Sequence, residues 1–385
     1  MALLEAAQIR NIALVGHGGS GKTSLAEALL FKSGMTNRLG SVPDGTSFLD
    51  STEEAKEKLS SVDSALCHLV HKGLHVNILD TPGTPAFCGP AIAALAAVEC
   101  AVVVISASAG IQVNTRRMIE RAREYGLGVW IVINHIDAAN VDLPAPVGQI
   151  QESFGTQCVP FDLPVAKATK VIDDFHNEKG DADFSTVSEA HIAVVEAVVA
   201  ADDGLMEKYL GGELAIDEAE KAAPCAVASG AFVPIFFTNS RGDVGIAEFL
   251  DALTSFCPSP VTGLKRTLVS GESKTVLEPS KDRPFVGQVV KIVTDPKSNI
   301  KYEVIRVHSG KLASDMHVRT AHEPKGVRPG HVIRILGPDH KEIEAGVAGD
   351  IIALAKLDFH IGEVVYADKG GTIAMPKFPQ PMFSL

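Results

Sequence analysis

Along its first part the chain alternates short unbroken apolar runs with longer helical segments. The runs Asn11 to Val15, Val76 to Leu79, Cys100 to Ile105, Gly128 to Ile133 and Val233 to Phe237 read as strands covered on both faces. Helices are expected at Lys22 to Lys32, Val113 to Tyr125 and Ile246 to Phe256. This order predicts an α/β fold, a doubly wound and mostly parallel sheet. Between Asn134 and Val233 lie about 100 residues, where such folds use two to six, so an inserted α+β subdomain is expected. It is placed at about 157–228, starting near Cys158, with helices at Glu189 to Ala201 and around Met206 to Tyr209.

After Pro258-Ser259-Pro260 the pattern changes. The polar stretch Ser270 to Asp282 reads as a linker, and short alternating strands follow, among them Val286 to Ile292, Tyr302 to Val307 and Ile351 to Leu354. Gly, Pro and Asp at the turns make this an all-β barrel. The expected division is 1–264 for the α/β domain, 265–282 for the linker and 283–385 for the barrel.

The segment Ala91 to Ile111 is apolar enough to mimic a membrane span. It reads better as two elements, an Ala-rich helix ending near Glu99 and a β-branched strand from Cys100, so no membrane association is expected. Met1 to Arg10 include Glu5 and lack a long apolar core, which excludes a signal peptide and points to a cytoplasmic location. Lys and Arg number 35 against 47 Asp and Glu, a net charge of -12, so no global basic field exists to hold nucleic acid in general. The six cysteines show no Cys-x-x-Cys pair and read as buried thiols of a reducing compartment.

Candidate chemistry begins with Gly16-His17-Gly18-Gly19-Ser20-Gly21-Lys22-Thr23, a full P-loop pattern between a strand and a helix. Its backbone amides, with Ser24 just beyond, can curl around phosphates; Lys22 can reach the β and γ phosphates and Thr23 can ligate Mg²⁺. Asp80-Thr81-Pro82-Gly83 ends the strand Val76 to Leu79, where the Asp can hold Mg²⁺ through water and Gly83 can swing its amide to a γ-phosphate. Asn134-His135-Ile136-Asp137 ends another strand, and a carboxylate there can accept both hydrogens of the guanine N1 and N2 edge, which adenine lacks. The ligands expected are therefore GTP or GDP with Mg²⁺. A P-loop kinase would instead prefer ATP and leave Asp137 idle.

These three motifs in series resemble the translational GTPases, and further stretches resemble elongation factor G. They are Cys158-Val159-Pro160-Phe161-Asp162-Leu163-Pro164-Val165, Leu205 to Leu210, Pro258-Ser259-Pro260, Thr294-Asp295-Pro296, Arg306 to Gly310, Ala348-Gly349-Asp350-Ile351 and Phe378-Pro379-Gln380-Pro381. The insertion argues against elongation factor Tu, and its opening motif against the GTPase release factor. The resemblance implies a monomeric GTPase that works with the ribosome. It also implies a divergent paralogue, and a piece of a longer protein, since elongation factor G continues for three more domains.

Four departures from the family pattern bear on chemistry. Thr84 stands where hydrolysing members carry the His that positions water, a loss worth roughly 10²–10⁴ in rate unless His17 or another neighbour compensates. His135 replaces the Lys whose stem covers the base, so an imidazole is left to stack there. Lys58-Leu59-Ser60-Ser61 replaces Arg-Gly-Ile-Thr, leaving Ser61 as the oxygen for Mg²⁺. Asn239-Ser240 replaces Ser-Ala, with the Ser240 amide expected at guanine O6. Two readings stay open: hydrolysis coupled to the ribosome, or a GTP-binding module that hydrolyses poorly and docks or regulates.

Overall fold

The computed structural model describes residues 3–50, 52–58, 60–295 and 298–378. Of the stretches singled out above, Leu59, Pro296 and Pro379-Gln380-Pro381 lie outside the described residues.

The chain opens with β1 (Ile9–Gly16), α1 (Lys22–Lys32), α2 (Glu53–Lys58), β2 (Ala65–His71) and β3 (Leu74–Asp80). It continues through α3 (Cys88–Leu95), β4 (Cys100–Ser106), α4 (Val113–Tyr125), β5 (Gly128–Asn134), α5 (Pro144–Phe154) and β6 (Cys158–Pro160). A hairpin of β7 (Asp162–Val165) and β8 (Lys170–Asp173) leads to α6 (Val187–Val199), α7 (Asp203–Leu210) and α8 (Ile216–Ser229), before β9 (Val233–Thr238) and α9 (Ile246–Ser255). Among the described residues one seven-stranded sheet runs β2-β3-β1-β4-β5-β9-β6, parallel except for β2. Along β1, Ile12 and Leu14 pack with Leu25 and Phe249 on one face while Ala13 and Val15 pack with Ile92 and Ile119 on the other. Burial on both faces is why these strands read as continuous apolar runs.

The segment Ala91 to Ile111 divides into α3 and β4, but the helix stops at Leu95. The carbonyls it frees are taken by arginines: Arg266 donates to the oxygens of Ala96 (3.2 Å) and Val98 (3.0 Å), and Arg306 to that of Ala97 (2.9 Å). No helix among the described residues is long and apolar enough to cross a membrane. β2, α5 and α8 were not expected from the sequence; prolines at the start of α5 and inside α8 mask their helical pattern. β6, near which the insertion is expected to start, joins the main sheet beside β9.

The second part is β10 (Thr267–Ser270), β11 (Ser273–Val276), β12 (Val286–Thr294), β13 (Lys301–Ser309), β14 (Lys311–Ala313), β15 (Val332–Leu336), β16 (Asp339–Ile343), β17 (Ala345–Val347), β18 (Ile351–Ala355), β19 (Val364–Tyr366) and β20 (Thr372–Ile373). All its described pairings are antiparallel, around a core that includes Phe285, Val289, Ile305, Val307, Ile352 and Leu354. The stretch expected as linker is more ordered than its polarity suggests, since β10 and β11 form a hairpin that also pairs with β20.

This β part sits against the ends where the parallel strands begin. Glu99, just before β4, accepts from Arg306 (2.7 Å) and from Asn11 (2.7 Å), and all three are buried. Asn11 also donates to Gly349 O (2.9 Å), and Asn77 donates to Asn11 (2.9 Å) and Asp350 (3.3 Å). Arg334 pairs with the other oxygen of Asp350. The opposite ends of the same strands are therefore left open for a site.

Candidate functional site

At the C-terminal ends of β1, β3 and β5 lies a cleft of about 340 Å³. Its lining includes Gly18, Gly19, Gly21, Lys22, Thr23 and Ser24 from the P-loop, Thr81, Gly83 and Thr84 after β3, and His135 after β5. Three stretches far apart in sequence thus meet where a doubly wound sheet places its ligands.

The P-loop turns on Gly21, whose φ of +90° is left-handed and whose α-carbon faces the Asn134 amide and the His135 ring, leaving no room for a side chain. α1 then begins at Lys22, and its first residues, Lys22, Thr23 and Ser24, line the cleft, so a helix N-terminus, which suits anions, stands at the site. Lys22 Nζ donates to the carbonyls of His17 (2.7 Å) and Gly16 (3.3 Å). Burial pulls its pKa down to about 8, against the opposing charges of Asp80 and Asp50. Gly83 packs against Lys22 and the P-loop backbone so closely that a β-carbon would meet Gly18 N at 2.5 Å, while its carbonyl accepts from Asn114 (2.7 Å).

A chain of oxygens runs beside Lys22. Thr23 Oγ1 donates to Asp80 Oδ2 (2.6 Å) and lies 3.1 Å from Ser61 Oγ, which in turn donates to Asp50 Oδ2 (3.0 Å). The second Asp80 oxygen is buried and has no hydrogen-bond partner among the described residues. Burial raises the Asp80 pKa to about 7, and burial likewise raises that of Asp50. Two hydroxyls between two carboxylates, with one carboxylate oxygen orphaned, form an all-oxygen donor set that fits Mg²⁺. The structure brings together all three residues read as metal ligands, Thr23, Asp80 and Ser61. It adds Asp50, which the sequence reading missed because only folding brings it beside Ser61. That placement comes from Glu27 on α1, buried, whose Oε1 accepts from Ser47 Oγ (2.6 Å) and the amides of Phe48 (2.7 Å) and Leu49 (3.0 Å).

Also lining the cleft, His135 has φ +62° and stands over Gly21, with Nδ1 3.3 Å from Ser106 Oγ. Burial lowers its pKa, with Asp137 opposing, so at neutral pH it offers a neutral stacking face. Asp137 is exposed on the same turn. Asn134 does not line the cleft: it donates to Ser20 O (3.2 Å) and accepts from Thr238 (3.2 Å) and from the Ser240 amide (3.2 Å) and hydroxyl (3.0 Å). The Ser240 amide, expected at guanine O6, thus donates to Asn134, which ties the P-loop to the loop after β9. Asn239 holds the next turn, accepting from Gly242 N (3.0 Å). Arg241 also lines the cleft and was missed in the sequence; its one signal there is its place next to Asn239-Ser240. His17 is not among the lining residues, and its Nδ1 is buried without a hydrogen-bond partner among the described residues.

Comparison with known proteins shows the family of the chain. Residues 7–259 match the family described as Elongation factor Tu GTP binding domain, and residues 284–368 match Elongation factor G domain 2. The chain belongs to the elongation factor G-like translational GTPases. The Elongation factor G-like protein of two Mycobacterium tuberculosis strains, CDC 1551 / Oshkosh and H37Rv, is 30% identical over 417 residues, covering 97% of this chain and 57% of the relative. Elongation factor G of Mycoplasma pneumoniae is 29% identical over 400 residues, covering 98% of this chain and 58% of that protein. A crystal structure of a Thermus thermophilus protein superposes with a TM-score of 0.83 at 30% identity, covering 97% of this chain and 56% of that one. The chain thus spans a little over half the length of the relatives it matches.

Proposed function

We propose that this chain binds GTP and GDP with Mg²⁺ in the cleft and that the bound nucleotide sets its affinity for the ribosome in the cytoplasm, the protein acting as a monomer. The observation that carries the reading is the meeting of Lys22, Thr23 and Asp80 at one end of the cleft with His135 at the other. In this reading the amides of Gly18, Gly19, Ser20 and Gly21 and the side chain of Lys22 hold the phosphates, with Gly16, His17 and Ser24 completing the loop. Thr23, Asp80, Ser61 and Asp50 hold the cation, which when bound neutralises phosphate charge. Asp137 reads the guanine edge, His135 and Arg241 flank the base, and Asn134, Asn239 and Ser240 fix the loops around it. The working division is a nucleotide domain at 1–264 with its inserted unit at about 157–228, a connecting hairpin region at 265–282 and the β-barrel at 283–385.

Gly83 and the loop after β3 rest on the P-loop beside Lys22, so a triphosphate that engages Lys22 has to rearrange that loop. This couples nucleotide to the surface shown to a partner. A second reading, slow hydrolysis, is favoured by a specific observation. Among the described residues lining the cleft the only histidine is His135, at the base end, and Thr84 occupies the phosphate end. A neutral threonine hydroxyl orients water less firmly than an imidazole. Turnover measured with and without ribosomes decides between the two. We expect low rates for the wild type and a gain of roughly 10²-fold in Thr84→His. A wild-type rate strongly stimulated by ribosomes would remove the hydrolysis-poor reading, and an unchanged Thr84→His rate would place the defect elsewhere.

A further inference from the structure

The barrel carries a side-chain cluster that takes no part in the nucleotide cleft. His322, on the turn closed by Thr320 N to Glu323 O (3.3 Å), and His360, on the turn closed by Glu363 N to His360 O (3.0 Å), face one carboxylate, Glu363. His322 Nδ1 is 2.8 Å from Glu363 Oε1, and His360 Nδ1 is 3.6 Å from Oε2. The two rings are 5.1 Å apart. One ligand atom from each residue lies within 4.8 Å of the others.

The carboxylate is the fixed point of this arrangement. Its side chain is only 5% exposed, while the imidazoles of His322 and His360 are 71% and 67% exposed. Glu363 accepts hydrogen bonds from the Thr320 hydroxyl, the His360 amide and His322. Backbone amides hold it from two sides, His360 N at 3.0 Å and His322 N at 3.4 Å. An ordinary surface ion pair would need one histidine. Here two exposed imidazoles converge on one buried carboxylate.

We propose that His322, His360 and Glu363 form a binding site for a divalent transition-metal ion of the zinc type, stapling the 320–323 and 360–363 turns of the barrel together. Two imidazoles and one carboxylate are the donor set of open tetrahedral zinc sites, which leave the fourth position to water or a partner's side chain. Nitrogen donors select Zn²⁺, Co²⁺ or Ni²⁺ over Mg²⁺ and Ca²⁺, which separates this site chemically from the all-oxygen set in the cleft. Tetrahedral ligands at zinc-like bond lengths stand about 3.4 Å apart, so the observed spacing closes with small side-chain turns and no backbone movement.

The test is titration of Co²⁺, followed by its visible absorption, and of Zn²⁺, followed by calorimetry. It uses the whole chain pretreated with chelator, in a Cys225→Ser background that removes the exposed thiol. The expected result is one equivalent of metal at this site, weakened at least tenfold in His322→Asn or His360→Asn and lost in the double variant. Both histidines are largely exposed, so these variants should stay folded, which circular dichroism checks. Excess Mg²⁺ and GDP should not compete. No uptake by the parent protein, or equal uptake by the folded double variant, would overturn the proposal.

Discussion

The two ends of the parallel sheet are built on opposite principles. Where the strands begin, Asn11, Asn77, Glu99, Arg306 and Asp350 are buried and bonded to one another, locking the nucleotide domain to the barrel. Where they finish, Lys22 is turned back on its own loop, Asp80 keeps an unpaired oxygen, and Asp50 and Asp80 hold their protons more tightly than usual. At the first end every oxygen of the Glu99 and Asp350 carboxylates is paired, and the orphaned buried atoms there are guanidinium nitrogens such as Arg306 Nε and Arg334 Nε; in that sense its acidic groups are satisfied without a ligand, and Asp80 at the other end is not. Thr84, His135, Ser61 and Asn239, the positions read in the sequence as departures from the elongation factor G pattern, also fall at this second end. The stretches Arg306 to Gly310 and Ala348 to Ile351, read in the sequence as resembling that family, supply Arg306, Gly349 and Asp350 to the junction.

The largest test of this contrast is at the junction. Glu99→Ala strands the Arg306 guanidinium and an Asn11 amide inside the protein, and should cost about 3–5 kcal/mol in urea unfolding. A loss below about 1 kcal/mol would mean that the network is not needed to hold the two parts together. At the other end Asp137→Asn removes a charged acceptor, and should reduce the preference for guanine over adenine by about 10–100-fold with little change in melting temperature. If both variants changed stability alike, the division into a satisfied and an unsatisfied end would fail.

Acid gives a smaller effect at the junction. Burial, then the neighbouring His75, lowers the pKa of His68 to about 4, and its Nδ1 meets Ile335 O of the barrel at 3.1 Å. A lowered histidine pKa means the unfolded chain binds the proton first, so stability held above pH 6.5 is lost as pH falls from 6.5 towards 4. Relative to His68→Asn, the wild type should therefore lose on the order of 1–2 kcal/mol over that window, read from urea midpoints at several pH values. A constant difference would remove His68 from the account.

Much of this was legible in the sequence because it is local. The P-loop, Asp80 and Asn134 to Asp137 each end a strand whose apolar run marks it, so their meeting at one sheet edge follows from the alternation of elements alone. The helices Lys22–Lys32 and Val113–Tyr125 appear with the expected bounds. What stayed hidden depends on contacts distant along the chain. Asp50 reaches the cleft only because Glu27 ties down Ser47 to Leu49, and the Ser240 amide is claimed by Asn134 across 106 residues. The hairpin β10–β11 was hidden differently: β11 is exposed along its whole length, and the hairpin is held by the pairing of β10 with β20 and by the single buried side chain Leu268. Polar composition predicted a linker where backbone pairing makes structure.

The central claim is that the unsatisfied end of the sheet is completed by a guanine nucleotide. Calorimetric titration of GTP, GDP and ATP in the presence of Mg²⁺ tests it directly. The account predicts that both guanine nucleotides bind at least about tenfold more tightly than ATP. Equal or tighter binding of ATP, or no binding of any of the three, would contradict it.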